Sequence, residues 1–290
     1  MLNMPSDYIL SAYRGRLAPT PTGYLHLGHA RTFWTAQQRA LARRGTLVFR
    51  NEDLDPDRCK QQYVEAMYED LRWFGLSWHE GPDVGGPHAP YVQSQRCEYY
   101  LDAWHKLMEQ GVIYPCICSR KDLTRCAQAP HDADEDDEPV YPGTCRESSA
   151  TATQRHNPKG VNWRYRVQDG EVVSFTDNNP TNGQRSYIAG QDFGDFLIWR
   201  RDNVPAYQLA VVVDDAAMQI TEVVRGEDLL KSTARQILLY RSLQLTSPEY
   251  FHCPLMRDEH GMRLAKRHDA LSLKTLQETG KSPTELRADW

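Results

Sequence analysis

The run from Arg16 to Ala30, Arg-Leu-Ala-Pro-Thr-Pro-Thr-Gly-Tyr-Leu-His-Leu-Gly-His-Ala, constrains this chain more than any other stretch. A short apolar start meets Pro-Thr-Pro-Thr-Gly. Two His separated by Leu-Gly then open a helical pattern. The order is strand, tight loop, helix N-terminus. Such a junction presents backbone N–H groups and the positive end of a helix dipole, a setting that favours phosphate. Two imidazoles there can donate further hydrogen bonds as charge develops on phosphate oxygens. On these residues alone, a βα turn with an internally satisfied His pair is the plainer alternative.

The following residues repeat the strand–helix alternation. Gly15 to Ala18 reads as a first strand. Leu27 to Arg44 reads as a helix with Ala30, Phe33, Trp34 and Leu41 on one face and Gly45 as its stop. Thr46 to Arg50 is a short buried strand. Strand, helix and strand within so few residues make a βαβ unit and a parallel sheet, so the expected class is α/β with a Rossmann-like core. A second helix is expected over Asp57 to Phe74, with Val64, Met67, Leu71 and Phe74 as a core stripe. A third is expected over Ser94 to Gln110, with Cys97, Leu101, Trp104 and Met108 on one face and Gly111 at its end.

After Tyr114 the texture changes. Cys116-Ile117-Cys118 leads to an acidic run, Asp132 to Glu138, that reads as a solvated loop. Short alternating runs between Asn162 and Arg200, separated by turn residues, predict a small antiparallel α+β insertion. Core-like sequence returns at Pro205 to Val213. A strand from Ile220 ends in a polar loop, and Ser232 to Leu245 is a helix with Ser232 as the expected N-cap. The resulting division is 1–112 for the first half of the core, 113–200 for the insertion, 201–250 for the second half and 251–290 for a terminal segment.

Composition narrows the class. Apolar residues make up 40% of the 290, enough for a sizeable core, and the net charge is −5. A small nucleic-acid-binding module is usually basic, so a local basic track is the form such binding would take here. Seven Cys, an odd number, argue against a disulfide framework. Met1 to Ile9 has no basic segment followed by an apolar run, and no apolar stretch is long enough to span a bilayer, so a cytoplasmic protein is expected.

Two groups of residues carry further chemistry. Arg16 and Arg225 stand at strand ends, where open α/β sheets bind ligands, and a buried Arg calls for a carboxylate. Glu52 suits an α-ammonium and Tyr207 a hydrogen bond to the same ligand. Arg16 paired structurally with Glu52 or Asp53 is the alternative. Cys116, Cys118 and Cys145 are either buried thiols or three legs of a tetrahedral Zn²⁺ site. Cys59, Cys97 and Cys253 have no expected role.

The Arg16–Ala30 string resembles the "HIGH" signature of class I aminoacyl-tRNA synthetases, in particular the glutamyl and glutaminyl branch. Arg263-Leu264-Ala265-Lys266-Arg267 resembles the late "KMSKS" loop of that class, with Arg, Ala and Arg replacing its first Lys and its two Ser. The resemblance implies that ATP, with Mg²⁺, is held by His26, Gly28, His29 and Lys266, and that His26, His29 and Lys266 are catalytic. It implies L-glutamate as the amino acid, bound by Arg16, Leu17, Ala18, Pro19, Thr20, Glu52, Tyr207 and Arg225. The spacing of Cys116, Cys118, Tyr141 and Cys145 is similar to the zinc site of a shortened glutamyl-type subfamily in which a Tyr hydroxyl is the fourth ligand. The acidic run lengthens that spacing here. Cys126 and His131 are the alternative fourth ligands.

Only His268 to Trp290 follow the Lys loop, where conventional glutamyl-tRNA synthetases continue into an anticodon-binding domain. The resemblance to the shortened subfamily therefore implies a specific reaction. Glutamate is activated without tRNA and transferred to the cyclopentenediol of queuosine in tRNA(Asp), whose unstacked anticodon loop a synthetase core can accept. No membrane partner is expected, and a monomer is. A truncated synthetase charging a tRNA 3′ end, or a non-catalytic tRNA-binding module, would share much of this sequence.

Overall fold

A computed structural model describes residues 12–118, 140–147, 157–256, 272–288 and 290. Strand β1 (Arg14–Leu17), helix α1 (Leu27–Ala42) and strand β2 (Thr46–Phe49) form the βαβ unit, with β1 parallel to β2 and Arg16 opposite Val48. After α2 (Gln61–Trp73) and α3 (Cys97–Glu109), the chain leaves the parallel layer. Strands β3 (Ile113–Cys116), β4 (Asn162–Tyr165) and β7 (Phe196–Trp199) pair antiparallel in that order. Between them β5 (Val172–Thr176) and β6 (Gln184–Ile188) form a hairpin.

The parallel layer resumes with α4 (Tyr207–Ala217), β8 (Glu222–Gly226), α5 (Leu230–Ser242) and β9 (Glu249–Cys253). β8 and β9 are parallel, with Arg225 opposite His252. The two halves meet beside β1, where the Thr221 N–H donates to the Arg14 carbonyl at 2.9 Å and the Arg16 guanidinium donates to the Val224 carbonyl at 2.8 Å. Short helices α6 (Leu273–Glu278) and α7 (Pro283–Leu286) close the described chain.

Among the described residues, two large apolar clusters fill the interior, with a smaller one around Tyr114, Cys116, Tyr141 and Cys145. One joins α3, α4 and α5 to the antiparallel strands, with Trp104 and Trp163 edge to face at 4.8 Å. The other lies among α1, α2 and the first strands, and takes Leu273 and Leu276 from α6. Among the described residues, no helix is long and apolar enough to cross a membrane.

Several local expectations change. α1 buries Ala30, Phe33, Ala36, Gln37 and Ala40, while Leu41 is 60% exposed. Small Ala residues let α1 lie close on the sheet, and the larger Leu41 falls outside that stripe. The helix ends before Gly45, because Arg44 takes the left-handed conformation at φ 49°. α3 turns Tyr100, Ala103, Trp104 and Leu107 inward and leaves Cys97 exposed. Tyr100 is drawn in because its hydroxyl donates to buried Asp214 at 2.9 Å. α5 starts at Leu230 with no side-chain cap, and Ser232 lies within it, receiving a bond from Gln208 at 3.0 Å. The Met67–Leu71–Phe74 stripe is buried as expected, and Gly111 takes φ +70° after α3.

Candidate active site

The His loop is built as a reciprocal cap. His26 is the N-cap of α1, and its Nδ1 accepts the Gly28 N–H at 3.1 Å. His29 Nδ1 accepts the His26 N–H at 3.2 Å, and the two rings lie 3.8 Å apart. Capping residues normally do this with oxygen. With both Nδ1 atoms accepting, the ring proton of each neutral His sits on Nε2, so Nε2–H is the donor each ring can offer. Space at Gly28 is tight: a Cβ there would stand 3.0 Å from His26 Cε1, so the His26 ring would have to give.

This loop forms one wall of a cleft of about 230 Å³. Strand alternation sends Arg16 and Ala18 into the cleft and Leu17 into the core, where Leu17 is fully buried. Leu17 is thus not a lining residue, against the expectation. Pro19, Thr20, His26, Gly28 and His29 line the same space, and Glu52, Tyr207 and Arg225 face them from the segment after β2, from α4 and from β8. Lys266 lies outside the described residues, as do Arg263, Arg267, Cys126, His131 and the acidic run.

The charges at the base of the cleft are held by a buried network. Arg50, fully buried, donates to Glu52 Oε1 at 2.9 Å and to Asp215 Oδ1 at 2.7 Å. Burial raises the Glu52 carboxyl despite the opposing pull of Arg50. Arg16 Nε stands 3.7 Å from the same Asp215 oxygen, so Arg16 pairs with Asp215 rather than with Glu52 or Asp53. Arg96 and Tyr100 fill the neighbouring Asp214. Arg225 is held differently, by Gln236 at 2.8 Å, Thr233 at 2.6 Å, His252 at 3.2 Å and Tyr207 at 3.4 Å.

Sequence reasoning did not identify Thr32, Phe33, Val224, Gly226, Asp228 or Met256 as lining residues, nor Asp215 and His252 as holders of the two arginines. The adjacent Asp214-Asp215 pair inside the apolar run of α4 was the available signal, because buried acids need cationic partners.

A second cluster lies at the end of β3. Cys116, Cys118 and Cys145 bring their sulfurs within 4.8 Å of one another. The Tyr141 hydroxyl lies 3.4 Å from Cys116 Sγ and 3.5 Å from Cys118 Sγ, and Cys118 Sγ is 3.6 Å from Cys145 Sγ. Tetrahedral zinc with bonds of about 2.3 Å places its sulfur ligands roughly 3.8 Å apart, so this donor set fits such an ion. Arg164 braces the cluster, donating to Cys116 Sγ at 3.4 Å with its guanidinium 4.0 Å above the Tyr141 ring.

Comparison with known proteins gives this architecture its class. The family profile described as "tRNA synthetases class I (E and Q), catalytic domain" matches residues 12–288, and the chain belongs to that family. It is 47% identical to a glutamyl-Q tRNA(Asp) synthetase of Symbiobacterium thermophilum, over 93% of this chain and 82% of that protein. It is 46% identical to a protein of the same name from Nitratidesulfovibrio vulgaris, over 92% and 82%. Among solved structures it resembles the glutamate-tRNA synthetase of Elizabethkingia anophelis, with a TM-score of 0.75 and 27% identity over 93% of this chain and 54% of that one. The class I fold and membership of a ligase family follow.

Proposed function

We propose that this enzyme activates L-glutamate with ATP, without needing tRNA, and transfers it to the cyclopentenediol of queuosine in tRNA(Asp). The observation that carries the reading is the convergence of Arg16, Glu52, Tyr207 and Arg225 on the cleft walled by His26, Gly28 and His29. The likeness to relatives named glutamyl-Q tRNA(Asp) synthetase supports the choice of acceptor.

In this reading Arg16 and Arg225 take the side-chain carboxylate of glutamate and Glu52 takes its ammonium. Ala18, Pro19 and Thr20 shape the wall beside it. The remaining carboxylate attacks the α-phosphorus of ATP, and the bond to pyrophosphate breaks. His26 and His29, with Lys266, meet the charge that develops on the phosphate oxygens. A queuosine hydroxyl then attacks the acyl carbon, loses its proton and displaces AMP. Residues 113–200 form the acceptor-binding insertion between the two halves of the core, 1–112 and 201–250, and residues 251–290 carry the Lys loop. Cys116, Cys118, Tyr141 and Cys145 hold one structural Zn²⁺, which ties the chain after β3 to the chain before β4. The enzyme acts in the cytoplasm as a monomer.

Transfer of labelled glutamate tests this directly. The expected acceptor is tRNA(Asp) bearing queuosine. Charging of tRNA(Glu), with none of queuosine-bearing tRNA(Asp), would support a 3′-end synthetase instead. Absence of glutamate-dependent ATP–pyrophosphate exchange without tRNA would overturn the first step.

A further inference from the structure

Arg225 has no carboxylate within ion-pair distance among the described residues, although it is only 4% exposed. All its partners are neutral: Gln236, Thr233, Tyr207 and His252. One buried negative charge is linked to it through His252. Asp177 Oδ2 is 2.5 Å from His252 Nδ1, and neither side chain is exposed. Asp177 Oδ1 is occupied by the backbone N–H groups of Asn179 at 2.8 Å and His252 at 3.1 Å. Oδ2 is thereby aimed at Nδ1, and a carboxylate there requires Nδ1–H. The lone pair of Nε2 then accepts from Arg225 Nε–H, with Thr233 Oγ1 3.0 Å from the same nitrogen. The opposite tautomer would set two N–H groups against each other.

These three residues come from separate elements. Asp177 follows β5 in the hairpin, His252 is on β9, and Arg225 is its register partner on β8. Asn179 and Asn182 also donate to the His252 carbonyl, at 2.7 Å and 3.2 Å. The hairpin is therefore bolted to the strand that orients Arg225.

Building on the glutamate pocket proposed above, we infer that Asp177 and His252 are positioning residues for Arg225. They aim its guanidinium while leaving its charge uncancelled for a substrate carboxylate, and so set the affinity for glutamate over glutamine. A direct Asp–Arg pair would orient the guanidinium equally well and neutralise it. The groups facing the imidazole are Asp177 and Arg225, with Arg16 further off and the Tyr250 ring stacked at 6.1 Å. Burial, with Arg225 and Arg16 adding to it, holds His252 down at about 4, so the neutral ring persists at working pH.

The test is ATP–pyrophosphate exchange with glutamate and glutamine on the parent protein and on Asp177→Asn, His252→Gln and His252→Leu. Asn keeps the acceptor for both backbone N–H groups but does not enforce Nδ1–H. The KM for glutamate should rise ~10-fold in Asp177→Asn, the size of one charge-assisted hydrogen bond. The KM for ATP and kcat should change by less than about threefold, and the preference for glutamate over glutamine should narrow. Gln returns an acceptor oxygen near the Nε2 position, so His252→Gln should keep much of the glutamate affinity and His252→Leu should lose it. Circular dichroism reports folding. If His252→Leu does not fold, Asp177→Asn and His252→Gln decide the matter. An unchanged glutamate KM in Asp177→Asn, or kcat and both KM values moving together, overturns the relay while leaving the glutamate reading intact. A parent protein with no glutamate-dependent exchange overturns both.

Discussion

Arg50 holds Glu52 through two nitrogens on one oxygen, Nη2 at 2.9 Å and Nε at 3.3 Å from Oε1. The same guanidinium serves Asp215. Replacing it with Met would leave both carboxylates buried without their main counter-charge. Removing one partner of a buried pair costs about 3–5 kcal/mol. Arg50→Met is expected to lose stability of that order in urea unfolding at pH 7.5. A loss under 1 kcal/mol would mean the network relaxes around the gap.

His26 does two things that separate by mutation. Asn is a good N-cap and has no imidazole. His26→Asn should keep the melting temperature near that of the parent and lower the rate of adenylate formation ~100-fold. His26→Ala should lose both, with a further stability cost of about 1 kcal/mol. Equal exchange rates in His26→Asn and the parent would remove His26 from the chemistry.

The acid side of the stability profile should carry the mark of His252. Its folded value, about 4, lies below the usual 6.5 because of burial foremost. Between those values the unfolded chain binds a proton that the folded chain does not, so stability falls as pH drops from about 6.5 towards 4. Asp177, held below its ordinary range by the His252 hydrogen bond against its own burial, loses its share lower still, as pH falls through its folded value. His252→Gln has no imidazole to titrate. Its stability should vary less across the upper window, measured by urea unfolding at pH 7.5, 6.0 and 4.5. A parallel slope in variant and parent would refute the assignment.

Metal content separates the cysteine cluster from the cleft. Purified protein is expected to carry one zinc per chain by elemental analysis, and Cys116→Ala to lose it. Glutamyl transfer to tRNA should then fall more than ATP–pyrophosphate exchange, because the sulfurs sit at the end of β3 rather than in the cleft. Full zinc occupancy in Cys116→Ala would exclude that ligand set.

The parts of the site legible in sequence are those with short-range logic. The Arg16–Ala30 string combines strand end, loop and helix start, and the alternation that aims Arg16 and Ala18 inward follows from β geometry. The same alternation should have excluded Leu17. The Cys-x-Cys and Tyr-x-x-x-Cys segments each place two donors together, though that they meet is a tertiary fact. Asp215, His252 and Asp177 were not legible, because each matters through a partner far away in the chain. α3 was misread for a similar reason: Tyr100 points inward to reach Asp214, which periodicity does not register.

The Asp214–Asp215 pair also bears on how the chain is made. Arg16, Arg50 and Arg96 emerge early in synthesis, and their partners on α4 emerge more than a hundred residues later. Until then Arg16 and Arg96 lack their carboxylates and Arg50 has only Glu52. β1 likewise waits for Thr221. The nascent N-terminal half therefore cannot close its own charges on the ribosome. The His loop caps its own helix locally, but the facing wall of its cleft, with Tyr207 and Arg225, comes from the second half of the sheet, so a stalled or truncated product would lack that wall.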